Sequence, residues 1–167
     1  MFVTHRREDG SFQPLREHLT NVAELAGAFA RAIDSPEEGY RTGLLHDIGK
    51  YSPAAQARQR DPEHVAPVDH SSAGVQVAAR VLKDIPAAFA IAGHHGGLSE
   101  ESDEGFMMRF AKPLTGANDP SEWKREISVS AQTDEPEWVK RRFESPEAAM
   151  YTRMLFSCLV DADFLDT

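Results

Sequence analysis

Only one cysteine, Cys158, occurs in the 167 residues. An internal disulfide is therefore excluded, and its place in the apolar run MLFSCLV makes it a small buried hydrophobe rather than a nucleophile. No apolar run comes near the roughly 20 residues that span a bilayer. The opening MFVTHRREDG is no signal peptide, so a soluble, cytoplasmic protein with no membrane partner is expected. A basic excess is missing too: 18 Lys and Arg against 27 Asp and Glu leave a formal net charge of -9. That balance argues against the broad cationic surface of a passive nucleic-acid binder. It leaves a nuclease open, because a metal site gathers carboxylates and the cation reverses their local field. Internal repeats, low-complexity tracts and a GxxxxGK[ST] phosphate loop are also absent. The length suits one domain, residues 1–167, built on one core.

What the chain does have is helical periodicity. Leu15, Leu19, Val22, Ala26, Phe29, Ala30 and Ile33 recur in steps of three and four, and Asp34-Ser35-Pro36 ends the pattern. A short helix is expected over 39–48, stopped by Gly49 in the left-handed conformation of a C-cap. Ser52-Pro53 starts a third. Asp69 or Ser71 caps a fourth, running through Gly74, Val75, Ala78 and Leu82. Pro86 opens a fifth, PAAFAIAGHH, and Ser145-Pro146 opens a long sixth through Tyr151, Leu155, Phe156 and Leu159 to Leu165. Between them, residues 99–144 read as an irregular insertion: GLSEESDEGF and LTGANDPSEW look like loop, and REISVS supports a short strand at most. The expectation is all-α, a bundle of about six helices with one irregular segment.

Polar residues stand at the inner ends of these helices. His18 lies one helical step from Leu15 and Val22, so it points inward. His46 and Asp47 end the second helix, His70 begins the fourth, and His94 and His95 end the fifth. Asp163 follows Thr152, Phe156 and Leu159 along the last helix. Singly, each has an ordinary explanation: a satisfied core histidine for His18, a favourable helix dipole for His46, a surface position for His70. His5 and His64 are read as surface residues. Taken together, five histidines and two aspartates would each need a separate buried hydrogen-bond partner. One shared divalent-metal site satisfies them all. Imidazoles and carboxylates suit Zn, Fe, Ni, Co and Mn. Seven candidate ligands oversupply one tetrahedral ion, so two ions roughly 3.5 to 4 Å apart, bridged by a carboxylate, fit better. Lys50 can leave the helix end to meet a phosphate oxygen. Asp69 either caps its helix or orients a ligand imidazole. Asp161 is a fallback for Asp163, and Asp166 a weaker one.

HDIGK (46–50), preceded by His18 and followed by Asp69-His70, GHHGG (93–97) and VDADFLDT, resembles the HD superfamily of metal-dependent phosphohydrolases. Within it, the chain looks most like the HD nuclease domain of the CRISPR-associated nuclease–helicase of type I systems. The resemblance runs from about residue 18 to 167, and residues 99–144 match none of its motifs. It implies an HD-domain helical bundle in which His18, His46, Asp47 and Asp163 hold one ion. Asp47 would bridge to a second ion on His70, His94 and His95, and Lys50 would contact the scissile phosphate. ADFL (162–165) matches the family's AD-x-L context for the last aspartate. The implied activity is two-metal hydrolysis of single-stranded DNA in CRISPR interference, an antiviral defence, with Mn, Ni, Co or Fe rather than Mg. The implied partners are a helicase domain or subunit and the CRISPR RNA-guided surveillance complex.

For the strand itself, basic residues lie at Arg58, Arg60, Lys112, Lys124, Arg125, Lys140, Arg141 and Arg142. KRRF (140–143) is either a backbone contact with an aromatic beside it or a solvated face. The sequence carries no helicase motifs and stops at DADFLDT, where the family continues in further helix. A stand-alone nuclease subunit or a truncated domain is implied, with truncation the preferred explanation. Two other functions compete. An HD phosphohydrolase acting on nucleotides or cyclic nucleotides would need a closed pocket. A non-catalytic module with structural ions would want a closed metal site.

Overall fold

A computed structural model describes residues 1–98, 104–130 and 146–167. Along the first helix, α1 (Leu15–Ala30), the apolar stripe is buried as its spacing demands: Leu15, Leu19, Val22, Ala23, Ala26 and Ala30 are fully covered, and His18 is covered with them. Helix α2 (Pro36–Leu45) lies directly on α1. The approach is close because two glycines face α1. A Cβ on Gly39 would sit 2.5 Å from the carbonyl oxygen of Ala26, and one on Gly43 would sit 2.5 Å from Cα of Ala23. This backbone contact brings the C-terminal end of α2 beside His18.

A 3-10 turn (Ile48–Tyr51) leads into α3 (Pro53–Arg60), whose cap Ser52 accepts the Ala55 N–H at 3.3 Å. Helix α4 (Ser71–Gln76) continues into a π-helical turn, Val77–Leu82. Helix α5 (Ile85–Gly93) starts at Asp84, which accepts the Ala87 N–H at 2.9 Å. Helix α7 (Pro146–Asp166) packs on α1 and α5 through Tyr151, Leu155, Leu159 and Ala162, all buried. The core therefore lies among α1, α2, α5 and α7, and the all-helical class expected from the periodicity is what folds. Among the described residues, no helix is long and apolar enough to cross a membrane.

Four local features add to or differ from the sequence expectation. A two-stranded antiparallel hairpin, β1 (Val3–Arg6) and β2 (Phe12–Pro14), precedes α1. The supposed irregular segment contains a seventh helix, α6 (Glu104–Ala111), held by Phe106, whose ring stacks on Phe89 at 4.1 Å. REISVS forms no strand: a 3-10 turn covers Ser121–Arg125, and Ile127 buries itself in the core. Gly49 does not take a left-handed conformation; it lies in the 3-10 turn, where a Cβ would meet the carbonyl oxygen of His70 at 2.0 Å. Close approach, not a positive φ, is the reason for glycine there. KRRF (140–143) lies outside the described residues.

Candidate metal centre

His46 is the C-cap of α2, where the chain leaves the helix and Asp47 turns it into the 3-10 segment. The His46 ring is fixed by its own helix end, Nδ1 donating to the carbonyl oxygen of Gly43 at 2.7 Å. His94 repeats the device at the end of α5, with Nδ1 donating to Ile91 O at 2.7 Å. His70 donates from Nδ1 to Val68 O at 3.1 Å, and His18 donates from Nδ1 to a carboxylate oxygen of Asp166 at 2.7 Å. Carbonyl and carboxylate oxygens only accept, so all four imidazoles are protonated at Nδ1. In the neutral form, the one that binds a metal, each then turns an Nε2 lone pair inward.

The four Nε2 atoms converge on Asp47. Its Oδ2 lies 3.6 Å from His18 Nε2 and 3.4 Å from His46 Nε2. Its Oδ1 lies 3.3 Å from His70 Nε2 and 3.5 Å from His94 Nε2. Asp163 Oδ1 stands 3.5 Å from both His18 and His46 Nε2. His95 Nε2 is 2.8 Å from His70 Nε2 at the exposed edge. One carboxylate thus shows one oxygen to each half of the cluster. Asp47, His70, His94 and His95 can bring ligand atoms within 4.8 Å of one another on one side, as can His18, His46 and Asp47 on the other. Asp163 joins in a third set with His46 and His94.

Buried polar atoms are ordinarily paired, and an unpaired one costs about 1–3 kcal/mol. Among the described residues, Nε2 of His18, His46 and His94, both oxygens of Asp47 and Oδ1 of Asp163 are buried without a hydrogen bond and face one another. Six such atoms aimed at a common space fit a divalent cation, and the donor set, imidazole plus carboxylate, suits a first-row transition metal.

Charge in the cluster follows from burial and proximity. Burial pushes the Asp47 carboxyl up, but Lys50, His46 and His70 outweigh it and hold the group well below the usual carboxylate range. Burial would depress His46, yet Asp47 and Asp163 raise it to about 10, so without a cation its Nε2 carries a proton that a metal ion would displace. Asp163 is held low in the same way: burial opposes, and the nearby charge of His46 prevails. On the other side burial dominates. It lowers His70, and with His94 it takes His95 down to about 4. Those rings are neutral near pH 7, the form in which imidazole binds a metal.

Every predicted ligand is therefore in the cluster: His18, His46, Asp47, His70, His94, His95 and Asp163. Asp161 is exposed and takes no part. Lys50 is buried and points into the cluster. Its ammonium lies 2.5 Å from Asp47 Oδ2, an ion pair without hydrogen-bond alignment, and donates to Thr4 Oγ1 at 3.0 Å. Asp69 is a cap. It accepts the Ser72 N–H at 3.1 Å and the Ser72 hydroxyl at 2.6 Å, and pairs with Lys112 at 2.9 Å.

Two residues have places that the sequence alone does not assign. His5, read as a surface residue, is half-buried with its ring centroid 4.8 Å from that of His18. Asp166, ranked as a weak ligand, is the acceptor that orients His18, and it also accepts from Asn21 Nδ2 at 2.7 Å and Gln13 Nε2 at 2.9 Å. Its spacing of one helical turn from Asp163 was the available signal. His64 is exposed, paired with Asp61.

Beside His70 and His95 opens a cavity of about 730 Å³, walled on the far side by Met108, Arg109, Lys112 and Pro113.

The sequence profile of the HD domain matches residues 15–133. Ribonuclease Y of Clostridium novyi is 31% identical over 106 residues, which are 63% of this chain and 19% of that protein. Ribonuclease Y of Clostridium tetani is 32% identical, over 63% of this chain and 18% of its own length. That of Desulforudis audaxviator is 30% identical, over 63% and 19%. The chain thus spans about a fifth of the length of the curated relatives it matches. With the profile covering most of the helical bundle and all the clustered histidines of α1, α2, α4 and α5, the chain belongs to the HD domain family.

Proposed function

We propose that this protein is a metal-dependent phosphodiesterase that hydrolyses single-stranded nucleic acid with two divalent ions. The observation that carries the reading is the set of six buried atoms without a hydrogen bond around Asp47, of which only Oδ2 has an ionic partner in Lys50. His18, His46, Asp47 and Asp163 would hold the first ion. Asp47, His70, His94 and His95 would hold the second. A pair of divalent ions supplies a water nucleophile at neutral pH and stabilises charge on the phosphoryl oxygens.

The chain's residues do the rest. Asp47, fully buried, is kept ionised by Lys50, so it needs no deprotonation before a cation arrives. Carbonyl oxygens and Asp166 hold the Nδ1–H of each imidazole, so that Nε2 is the nitrogen that would face a cation. The half carrying His70 and His95 faces the cavity, and this edge admits the substrate. Arg109 and Lys112 stand where backbone phosphates would pass. Lys50, in contact with Asp47, acts on the phosphate by turning away from that carboxylate once cations neutralise it.

Single-stranded DNA cut in CRISPR interference, with a helicase domain or subunit and an RNA-guided surveillance complex as partners, is our preferred assignment on the motif resemblance. RNA is the second reading, favoured by the matched relatives, which are named ribonuclease Y. Transition metals such as Mn, Ni, Co or Fe are preferred to Mg, because most of the ligands are imidazoles. The test is elemental analysis, followed by cleavage of single-stranded DNA, single-stranded RNA and free nucleotides after chelation and metal add-back. Cleavage of either polymer restored by a transition metal is expected. Full activity in chelator, or turnover of nucleotides with both polymers left intact, overturns the proposal.

A further inference from the structure

The N-terminal hairpin lies outside the stretch that matches the HD domain, yet it is fastened to the metal centre. Thr4 Oγ1 accepts from Lys50 Nζ at 3.0 Å. Gln13 Nε2 donates to Asp166, the residue that orients His18. Gln56 bonds both ways to the backbone of Val3, at 3.1 and 2.8 Å, and also donates to Lys50 O at 2.8 Å. Val3, Thr4 and Gln13 are all buried, so the register of the hairpin over the cluster is set by packing as well as by these bonds.

This register delivers His5. Its ring stands edge-on to His18, and it can place a nitrogen within 4.8 Å of ligand atoms of His18 and Asp163. Among the described residues its one hydrogen-bond contact is Thr167 Oγ1, 3.5 Å from Nε2, at the outer limit of such a bond. A half-buried imidazole brought to two metal ligands and so weakly satisfied is placed as a ligand itself.

We infer that His5 is a fifth protein ligand to the first ion, supplied by the hairpin. The inference rests on the reading of the cluster as a metal centre. Its consequence is chemical. His18, His46, Asp47 and Asp163 make four ligands, the number that closes a tetrahedral zinc site. A fifth moves that ion toward five- or six-coordination, which suits Mn, Fe, Co and Ni. The second ion keeps four protein ligands, so the two sites are inequivalent.

The test is cobalt(II) titration of the full chain, read by visible absorption and by competition with a chelator. The variants are His5→Phe, which keeps an edge-on ring but removes both nitrogens, and His5→Gln. His64→Ala is the control. In the wild type, two binding events are expected. In both His5 variants one event weakens by about tenfold or more, the scale on which even outer partners change metal affinity. The visible absorption of that ion strengthens as its coordination number falls, while the other event is unchanged. Affinities and spectra in both His5 variants that match the wild type overturn the assignment of His5 alone. A wild-type protein that binds no cobalt overturns the metal centre and this inference with it.

Discussion

Asp166 offers the sharpest test of how the centre is organised, because it touches no other predicted ligand but His18. Its carboxylate accepts three hydrogen bonds, from His18 Nδ1 at 2.7 Å, Asn21 Nδ2 at 2.7 Å and Gln13 Nε2 at 2.9 Å. Asp166→Ala removes all three hydrogen bonds and leaves the fully buried His18 N–H unpaired, a loss of about 1–3 kcal/mol of stability. It also frees His18 to place its proton on Nε2, the atom that would bind the first ion. Loss of such an outer partner lowers metal affinity by about 10- to 100-fold, or about 1.4–2.8 kcal/mol. Asp166→Asn separates the two effects. Its carbonyl oxygen can still accept from His18 and Gln13, and Asn21 can flip its amide to accept from the new NH₂. Folding should then be nearly unchanged, while loss of the charge beside the imidazole weakens metal binding toward the lower end of that range. Manganese affinity from chelator competition and urea unfolding of the metal-free protein measure the two quantities apart. If both variants bind manganese as the wild type does while Asp163→Ala does not, the orienting role is wrong.

Three further outcomes are expected. Asp47→Asn should abolish binding of both ions, about two per chain, whereas Asp163→Asn should spare the second; elemental analysis of each variant decides. Gly49→Ala should cost about 1–3 kcal/mol and displace His70, because the new Cβ would meet the His70 carbonyl oxygen at 2.0 Å; unfolding curves and metal content should both change. Away from the site, burial and then Asp84 raise Glu38 to about 7, against the opposing charge of Arg41. A carboxyl whose pKa is raised by folding stabilises the protein fully below its unfolded value of 4.5 and loses that contribution as pH climbs through about 7. Other groups titrate in this window, so the readout is a difference. The melting temperature of the wild type should fall relative to Glu38→Gln between those pH values, and parallel profiles would refute the assignment.

Whether a residue's role was legible in the sequence depended on how far away its partner lies. His46 and His94 bond to carbonyls three residues back, and each sits at the end of a helix whose apolar stripe is plain in the sequence. Counting helical steps was enough to place them, and enough to choose Asp163 over Asp161. The hairpin escaped because its strands are three and four residues long and show no sustained alternation. The place of His5 depends on Gln56 holding Val3 across 53 residues. Gly49 was read as a turn former because local sequence shows where glycine is free, not where another segment presses against it; the segment at fault is His70, 21 positions on. Asp166 reaches Gln13, His18 and Asn21 over separations of 153, 148 and 145 residues. No periodicity encodes such a bond. Candidate ligands on helix ends are thus announced by the helices that carry them, while the groups that orient them belong to the tertiary fold. This division explains why a motif-based reading names the residues that gather around Asp47 and does not reach the side chains packed against them.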